Sequence, residues 1–237
     1  MKNYSVTAIM PTCGRTTCIG ESIYSFINQT YENKKLIILD THPQDITFDI
    51  PLPKNITYLK EDSHKYSNLG DKYKQLIKAI DTDLFCIWED DDIWLPNHIE
   101  SLVELYNPND KSKRPLKLGH ESHFSVLGGV DRPIHHLSIG GNVCWCRYIF
   151  ENKNINVDNL IEPFDINFLG LFDHVWENKN NMPTYLYRWD NGQCHMSGLY
   201  GSKPYNELYR SFEDALSKED ISDVVTIGWR HNYLELC

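Results

Sequence analysis

Residues 83–96 read DLFCIWEDDDIWLP. Asp83 to Trp88 is a short, mostly apolar run of the kind that forms a strand covered on both faces. It stops at four consecutive carboxylates, Glu89, Asp90, Asp91 and Asp92, and resumes with Ile93, Trp94, Leu95 and Pro96. Four adjacent acids repel one another, and partial burial raises their pKa values further. A bound cation relieves both costs. Hard carboxylate oxygens suit Mg²⁺ or Mn²⁺, which leave coordination positions open for phosphate oxygens. A solvated acidic turn is the plainer reading of such a tetrapeptide. Its place at a strand end, with Trp88 and Trp94 on either side, favours the cation.

Working outward, short apolar runs alternate with segments of helical period. Ser5 to Met10 and Lys35 to Leu39 read as strands, and Ile56 to Leu59 as a weaker one. Ile19, Ile23, Phe26, Ile27 and Tyr31 recur at helical spacing, as do Leu69, Tyr73, Leu76, Ile77 and Ile80, with Ser67 or Asn68 as the cap. Pro96 suits the first position of a further helix carrying Ile99, Leu102, Val103 and Tyr106. This rhythm predicts an α/β fold, a mostly parallel sheet with helices on both faces. Ligands of such sheets bind at the carboxyl ends of strands. Pro11 to Arg15, Asp40 to His42 and Glu89 to Asp92 should therefore line one crevice.

Residues 107–117 are polar and basic and read as a surface connection. Beyond them, Ser122 to Leu127 and Asn142 to Phe150 suggest strands, Phe164 to Trp176 a short helix, and Tyr205 to Leu216 a helix with Leu208, Phe212 and Ala215 on one face. The expected organisation is a single domain over 1–237, with a donor half (1–106) and a mixed acceptor half (107–237). The 237 residues are 41% hydrophobic, enough for a substantial core, and no run approaches the ~20 apolar residues of a membrane span. Neither a secretory leader nor a CxxC pair is apparent among the seven cysteines. A cytoplasmic protein with reduced thiols is expected. The formal charge of −10 argues against non-specific nucleic-acid binding, and it makes a cation the natural bridge to a phosphorylated substrate.

The first half resembles the family-2 nucleotide-sugar glycosyltransferases of the GT-A fold over about residues 4–106. Pro11-Thr12-Cys13-Gly14-Arg15 is similar to that family's opening Pro-Thr-Tyr-Asn-Arg. Ser22 to Tyr31 is similar to its Ser-x-x-x-Gln-Thr-Tyr helix, Ile37 to Asp40 to its second strand, Asn68 to Lys72 to the segment before the metal strand, and Trp88 to Pro96 to the metal motif. Farther on, Phe172 to Trp176 resembles the segment that carries the catalytic base. Tyr187-Arg188-Trp189 with His195 to Gly198 resembles a C-terminal Tyr-Arg…His-x-Ser stretch. Two departures stand out: Asp40-Thr41-His42-Pro43 replaces Asp-Asp-Gly-Ser, and Phe172 replaces an acid.

The resemblance implies a metal-dependent transfer of sugar from a nucleotide-sugar, by default UDP-linked, to an acceptor hydroxyl with inversion. It implies Pro11, Thr12, Arg15, Asp40, Lys72 and Asp90 as nucleotide-sugar contacts. Asp91 would be a ligand of Mn²⁺ or Mg²⁺, with His195 either a further ligand or a diphosphate donor. Asp173 is the general base, with Asp165 as its rival, and Arg188 joins Lys72 in offsetting phosphate charge. The acceptor stays open between a glycan precursor, a protein, a small molecule and a hydroxylated DNA base. A nucleotidyltransferase would need a glycine-rich loop after the first strand, where only Gly14 stands. A glycosyltransferase-like domain that binds without turnover is the other alternative, against which the intact acidic run speaks.

Overall fold

A computed structural model of the chain describes residues 3–110, 112–120, 124–127, 137–139, 145–161, 163–177, 184–188, 205–218, 220–221 and 224–236. The first half alternates as the sequence rhythm predicts. Strand β1 (Val6–Thr12) leads to helix α1 (Ile19–Ile27), β2 (Lys34–Asp40), β3 (Ile56–Lys60), α2 (Leu69–Lys78), β4 (Leu84–Ile87), a two-residue β5 (Ile93–Trp94) and α3 (His98–Val103). There follow β6 (Leu116–His120), β7 (Phe124–Leu127), β8 (Leu137–Ile139), β9 (Ile149–Glu151), α4 (Phe164–Leu169), β10 (Asp173–Glu177), β11 (Tyr185–Arg188) and α5 (Tyr205–Leu216).

Seven strands form one sheet in the order β10-β6-β9-β4-β1-β2-β3. Only β9 runs against the rest. Every residue of β1 is buried, as its central place demands. Parallel neighbours need crossover connections, and α1 supplies the one from β1 to β2. It turns Ile19, Ile23 and Phe26, all fully buried, onto the sheet. α2 does the same with Tyr73, Leu76 and Ile77, and Asn68 caps it by accepting from the Asp71 N–H at 3.0 Å. Strands from both sides of residue 106 share this sheet. A second sheet, β5-β11-β7-β8, holds the remaining four.

Three local expectations shift. Pro96 lies two residues ahead of α3 rather than inside it. Residues 145–147 form a 3₁₀ turn before β9 rather than part of a strand. The segment 164–176 divides into α4 and the edge strand β10, whose Asp-His-Val-Trp-Glu alternation suits a strand with unlike faces. Among the described cysteines, Cys13, Cys86 and Cys146 keep buried thiols, whereas Cys18 is disulfide-bonded, a departure from thiols throughout. Among the described residues, no helix is long and apolar enough to cross a membrane.

The chain end is stitched to α1. Val225 pairs with Phe48 in an isolated bridge, and Trp229 Nε1 donates to Ser25 Oγ at 2.9 Å. Gly20 permits the approach, because a Cβ there would stand 2.1 Å from the Thr226 carbonyl oxygen.

Candidate active site

The acidic run occupies the loop between β4 and β5, closed at its base by the flanking tryptophans. Trp88 and Trp94 stack with centroids 4.1 Å apart, and Phe26 meets Trp88 edge-on. Trp88 Nε1 donates to the Ser22 carbonyl at 3.1 Å, and Ser22 Oγ donates to that of Glu89 at 2.7 Å. Both tryptophans are fully buried. They act as a clamp that delivers four carboxylates to one place.

Each carboxylate then meets a different environment. Asp92, fully buried, accepts from the Tyr185 hydroxyl and, at 2.9 Å, from the Arg188 N–H, so it ties β11 to the loop. Glu89 accepts from Trp145 Nε1 at 2.9 Å and from the Tyr73 hydroxyl at 3.3 Å. Enclosure, and after it the charge of Asp91, pushes its pKa up to about 7. Asp90 accepts from Thr12 Oγ1 at 2.5 Å and from Arg15 Nη1 at 2.9 Å. Burial lifts its pKa to about 6 even though Arg15 pulls the other way.

Asp91 differs from all three. Its Oδ2 lies 2.7 Å from Arg15 Nη1, while Oδ1 is buried with no hydrogen-bond partner among the described residues. A bare carboxylate oxygen in a protein interior is costly unless something positive completes it. Burial raises the Asp91 pKa, and the charges of Arg15 and Arg188 oppose that rise. Arg188 is 1% exposed. Its Nη2 donates to Glu21 Oε2 at 2.6 Å, while Nη1 is buried and unpartnered among the described residues. An orphaned acceptor and an orphaned guanidinium nitrogen thus share one buried neighbourhood, a setting suited to a cation and an anion bound together.

Glu89, Asp92 and Cys146 also bring ligand atoms within 4.8 Å of one another. That trio suits a hard cation less well, because one donor is a thiol and both Asp92 oxygens already accept hydrogen bonds. Asp91, with Glu89 and Asp90 beside it, offers the better fit to Mg²⁺ or Mn²⁺.

Five of the six expected nucleotide contacts, Pro11, Thr12, Arg15, Lys72 and Asp90, line one cleft. Gly14 turns the chain there at φ +83°, with its missing Cβ giving room to the His42 ring. Asp40 stands behind the cleft. It is fully buried and accepts from the Tyr58 hydroxyl, from Lys60 Nζ at 2.7 Å and from the His42 N–H at 2.9 Å. His195 lies outside the described residues.

Asp173 is not brought to this cleft. It opens β10, opposite Leu116, and the pairings of β6 and β9 place it level with Leu84 at the start of β4. The acidic run begins five residues farther along, roughly 16 Å at ~3.3 Å per residue. Asp173 instead takes a hydrogen bond from Ser112 and lies 3.5 Å from Arg114, with both charged side chains nearly half exposed. A strand's first residue is at the wrong end of a parallel sheet for a site built on strand ends. Asp165 fares differently. It is in the first turn of α4, next to Phe164, which packs against Tyr73 and Trp145, the two residues that hold Glu89.

The sequence pattern did not single out Glu213, Glu21 or Tyr185, and it read Phe212 only as part of a helix face. Glu213 Oε1 lies 2.6 Å from Lys72 Nζ and accepts from Thr41 Oγ1 at 2.9 Å. The separation of 172 residues between Thr41 and Glu213 leaves no local motif to find.

The sequence profile described as "Glycosyl transferase family 2" matches residues 7–112. No curated protein sequence matches significantly. Among solved structures, the chain is similar to S. aureus TarS (TM-score 0.52, 13% identity, 78% of this chain and 37% of that one). It is also similar to TarS 1-349 from the same organism (0.51, 10%, 78% and 60%). A third is the mannosyltransferase PcManGT from Pyrobaculum calidifontis, solved with GDP-Man and Mn²⁺ (0.50, 10%, 92% and 70%). The chain thus spans between about a third and two thirds of the two TarS chains' lengths. At these identities the likeness speaks for the fold. Residues 7–112 are thus a glycosyl transferase family 2 unit, and the chain is built on the GT-A type of α/β fold.

Proposed function

We propose that this chain is a metal-dependent glycosyltransferase that moves a sugar from a nucleotide-sugar, UDP-linked by default, to an acceptor hydroxyl with inversion. The observation that carries the reading is Asp91 Oδ1, buried at the carboxyl end of a parallel strand and, like Arg188 Nη1 whose charge acts on it, without a hydrogen-bond partner among the described residues. Asp91 would hold Mn²⁺ or Mg²⁺, with Glu89 as a neighbouring oxygen donor. The Mn²⁺ and GDP-Man of the mannosyltransferase of like fold are in keeping with this chemistry. When bound, such a cation supplies Lewis-acid stabilisation of the departing diphosphate.

The chain's own groups do the rest. Thr12 and Asp90 hold the ribose, and Arg15 and Lys72 offset phosphate charge from within the cleft. Arg188 Nη1 aims a fixed donor at the charge that develops on the leaving group. Asp40 acts from behind, by setting the His42 backbone and Lys60. An acceptor hydroxyl is a poor nucleophile, and a carboxylate must take its proton as it attacks. In place of Asp173 we assign that task to Asp165, whose neighbour Phe164 packs on Tyr73 and Trp145, the residues that hold Glu89.

The test is release of nucleoside diphosphate from a panel of nucleotide-sugars with Mn²⁺, first without acceptor and then with hydroxyl acceptors of each class. Slow, cation-dependent release without acceptor supports the reading. No release from any donor, together with no calorimetric binding of any nucleoside diphosphate in the presence of Mn²⁺, overturns it.

A further inference from the structure

The cleft lined by the expected nucleotide contacts is nearly full. Its free volume is about 40 Å³, room for little more than a water molecule, whereas small-molecule sites run to ~300 Å³ or more. The filling comes from α5. Phe212 lies over Arg15, with the guanidinium carbon 4.9 Å from the ring centroid. Glu213 presents Oε1 to Lys72 Nζ at 2.6 Å and accepts from Thr41 Oγ1 at 2.9 Å. Leu216 closes the cleft, and its carbonyl meets His42 Nε2 at 3.0 Å. Successive residues of one helix thus place an aromatic ring and a carboxylate on the arginine and lysine expected to serve a nucleotide. A flat π face beside an anion is also the chemical outline of a nucleoside diphosphate.

Among the described residues, Phe212 and Leu216 form a buried cluster with Cys13, separate from the main core. A helix of twelve residues is marginal in water without tertiary packing, so α5 keeps its form through the contacts it makes here.

From these contacts we infer that α5 is an autoinhibitory plug. In the resting protein, Phe212 and Glu213 occupy the seat of the donor nucleotide, and the nucleotide enters as α5 leaves. The inference rests on the nucleotide-sugar reading above and adds a regulatory step to it. Only the fraction of molecules with α5 withdrawn binds donor, so apparent affinity is reduced by that fraction. Whatever draws α5 away switches the site on.

The experiment is calorimetry of UDP and GDP with Mn²⁺ on the full chain and on two single variants, Phe212→Ala and Glu213→Gln, together with amide hydrogen exchange of residues 205–216. Phe212→Ala leaves the Lys72–Glu213 pair intact, so it stands if loss of that pair impairs folding. The expected result is about tenfold tighter binding in the variants, and faster exchange in α5 when nucleotide is added to the wild type. Unchanged or weaker affinity in Phe212→Ala, or α5 amides that gain protection with nucleotide bound, would overturn it and make α5 a wall of the site, with the transferase reading intact. No nucleotide binding by the wild type or either variant sinks the underlying reading, and the plug with it.

Discussion

Asp91 and Asp173 both neighbour aromatic residues and strands of the same sheet, yet one stands where a parallel strand has ended and the other where one begins. The first is 3% exposed and keeps an oxygen with no hydrogen-bond partner among the described residues; the second is solvated, with a serine and an arginine beside it. The contrast teaches that strand direction ranks acidic residues better than their sequence neighbours do. Carboxyl ends converge on one crevice, and a strand's opening residue faces away from it however well its surroundings resemble a motif.

The strongest way to break this comparison is Asp91→Ala. It should abolish cation-dependent nucleotide binding by calorimetry and lower transfer by about 10³-fold or more, the scale of losing charge stabilisation at a leaving group. Asp165→Asn comes next. Donor affinity should hold while kcat falls about 10²-fold, as expected for a lost general base. If kcat is unchanged, the base lies elsewhere.

Within the acidic run itself, Asp92 is read as structural, and Tyr185→Phe tests that. Removing the hydroxyl leaves a buried carboxylate short of one donor, a cost of about 2 kcal/mol. Thermal melting should show Tm lowered by roughly 4–8 °C, and nucleotide affinity should be nearly unchanged. A large loss of affinity without a loss of Tm would move Asp92 into the binding site.

The two ends of the sheet should also titrate with opposite signs. Glu89 and Asp90 have pKa values raised to about 7 and about 6, so the folded state binds protons that the unfolded state has released. Stability from that source is lost as pH rises through this range. His174, the neighbour of Asp173, is lowered from 6.5 to about 4, by burial first and then by Lys117 and Arg147. There the unfolded state takes the proton first. The stability is whole above pH 6.5 and drains away as pH falls towards 4. Urea denaturation at pH 7.5 and 5 should therefore show a smaller acid-side loss in His174→Gln than in the wild type. Equal losses would remove the histidine from the account.

Much of the first hundred residues was legible because its signals are local. The 3.6-residue spacing of Ile19, Ile23 and Phe26, the cap at Asn68 and the apolar run into Glu89 each need only a short window. What stayed hidden depends on distant pairing. Strand β6 begins inside a stretch that reads as a surface connection, and its partners lie more than thirty residues away in sequence. The segment 173–177 carries both a strand-like alternation and a motif-like Asp…Trp, and only its pairing with β6 decides between them. The helix over 205–216 was readable from its period, but that Glu213 meets Lys72 was not, since an ion pair across 141 residues leaves no periodic trace.

The smallest predicted effect is the most discriminating. Asp173→Asn keeps the side chain's size and removes its charge. Its partner Arg114 is 49% exposed and reaches it at 3.5 Å, and such surface pairs contribute about 0–1 kcal/mol. Tm should shift by no more than roughly 4 °C, and kcat and nucleotide affinity should stay within about twofold of the wild type. Asp165→Asn, with the same chemistry removed at the other carboxylate, serves as the matched control. A 10²-fold fall in kcat for Asp173→Asn with Asp165→Asn unaffected would mean that the motif outranks the pairing register, and that β10 leaves its place beside β6 when substrate is bound. The reverse outcome would mean that a residue opening a strand can be ruled out as the base from the pairing register alone, with no substrate in view.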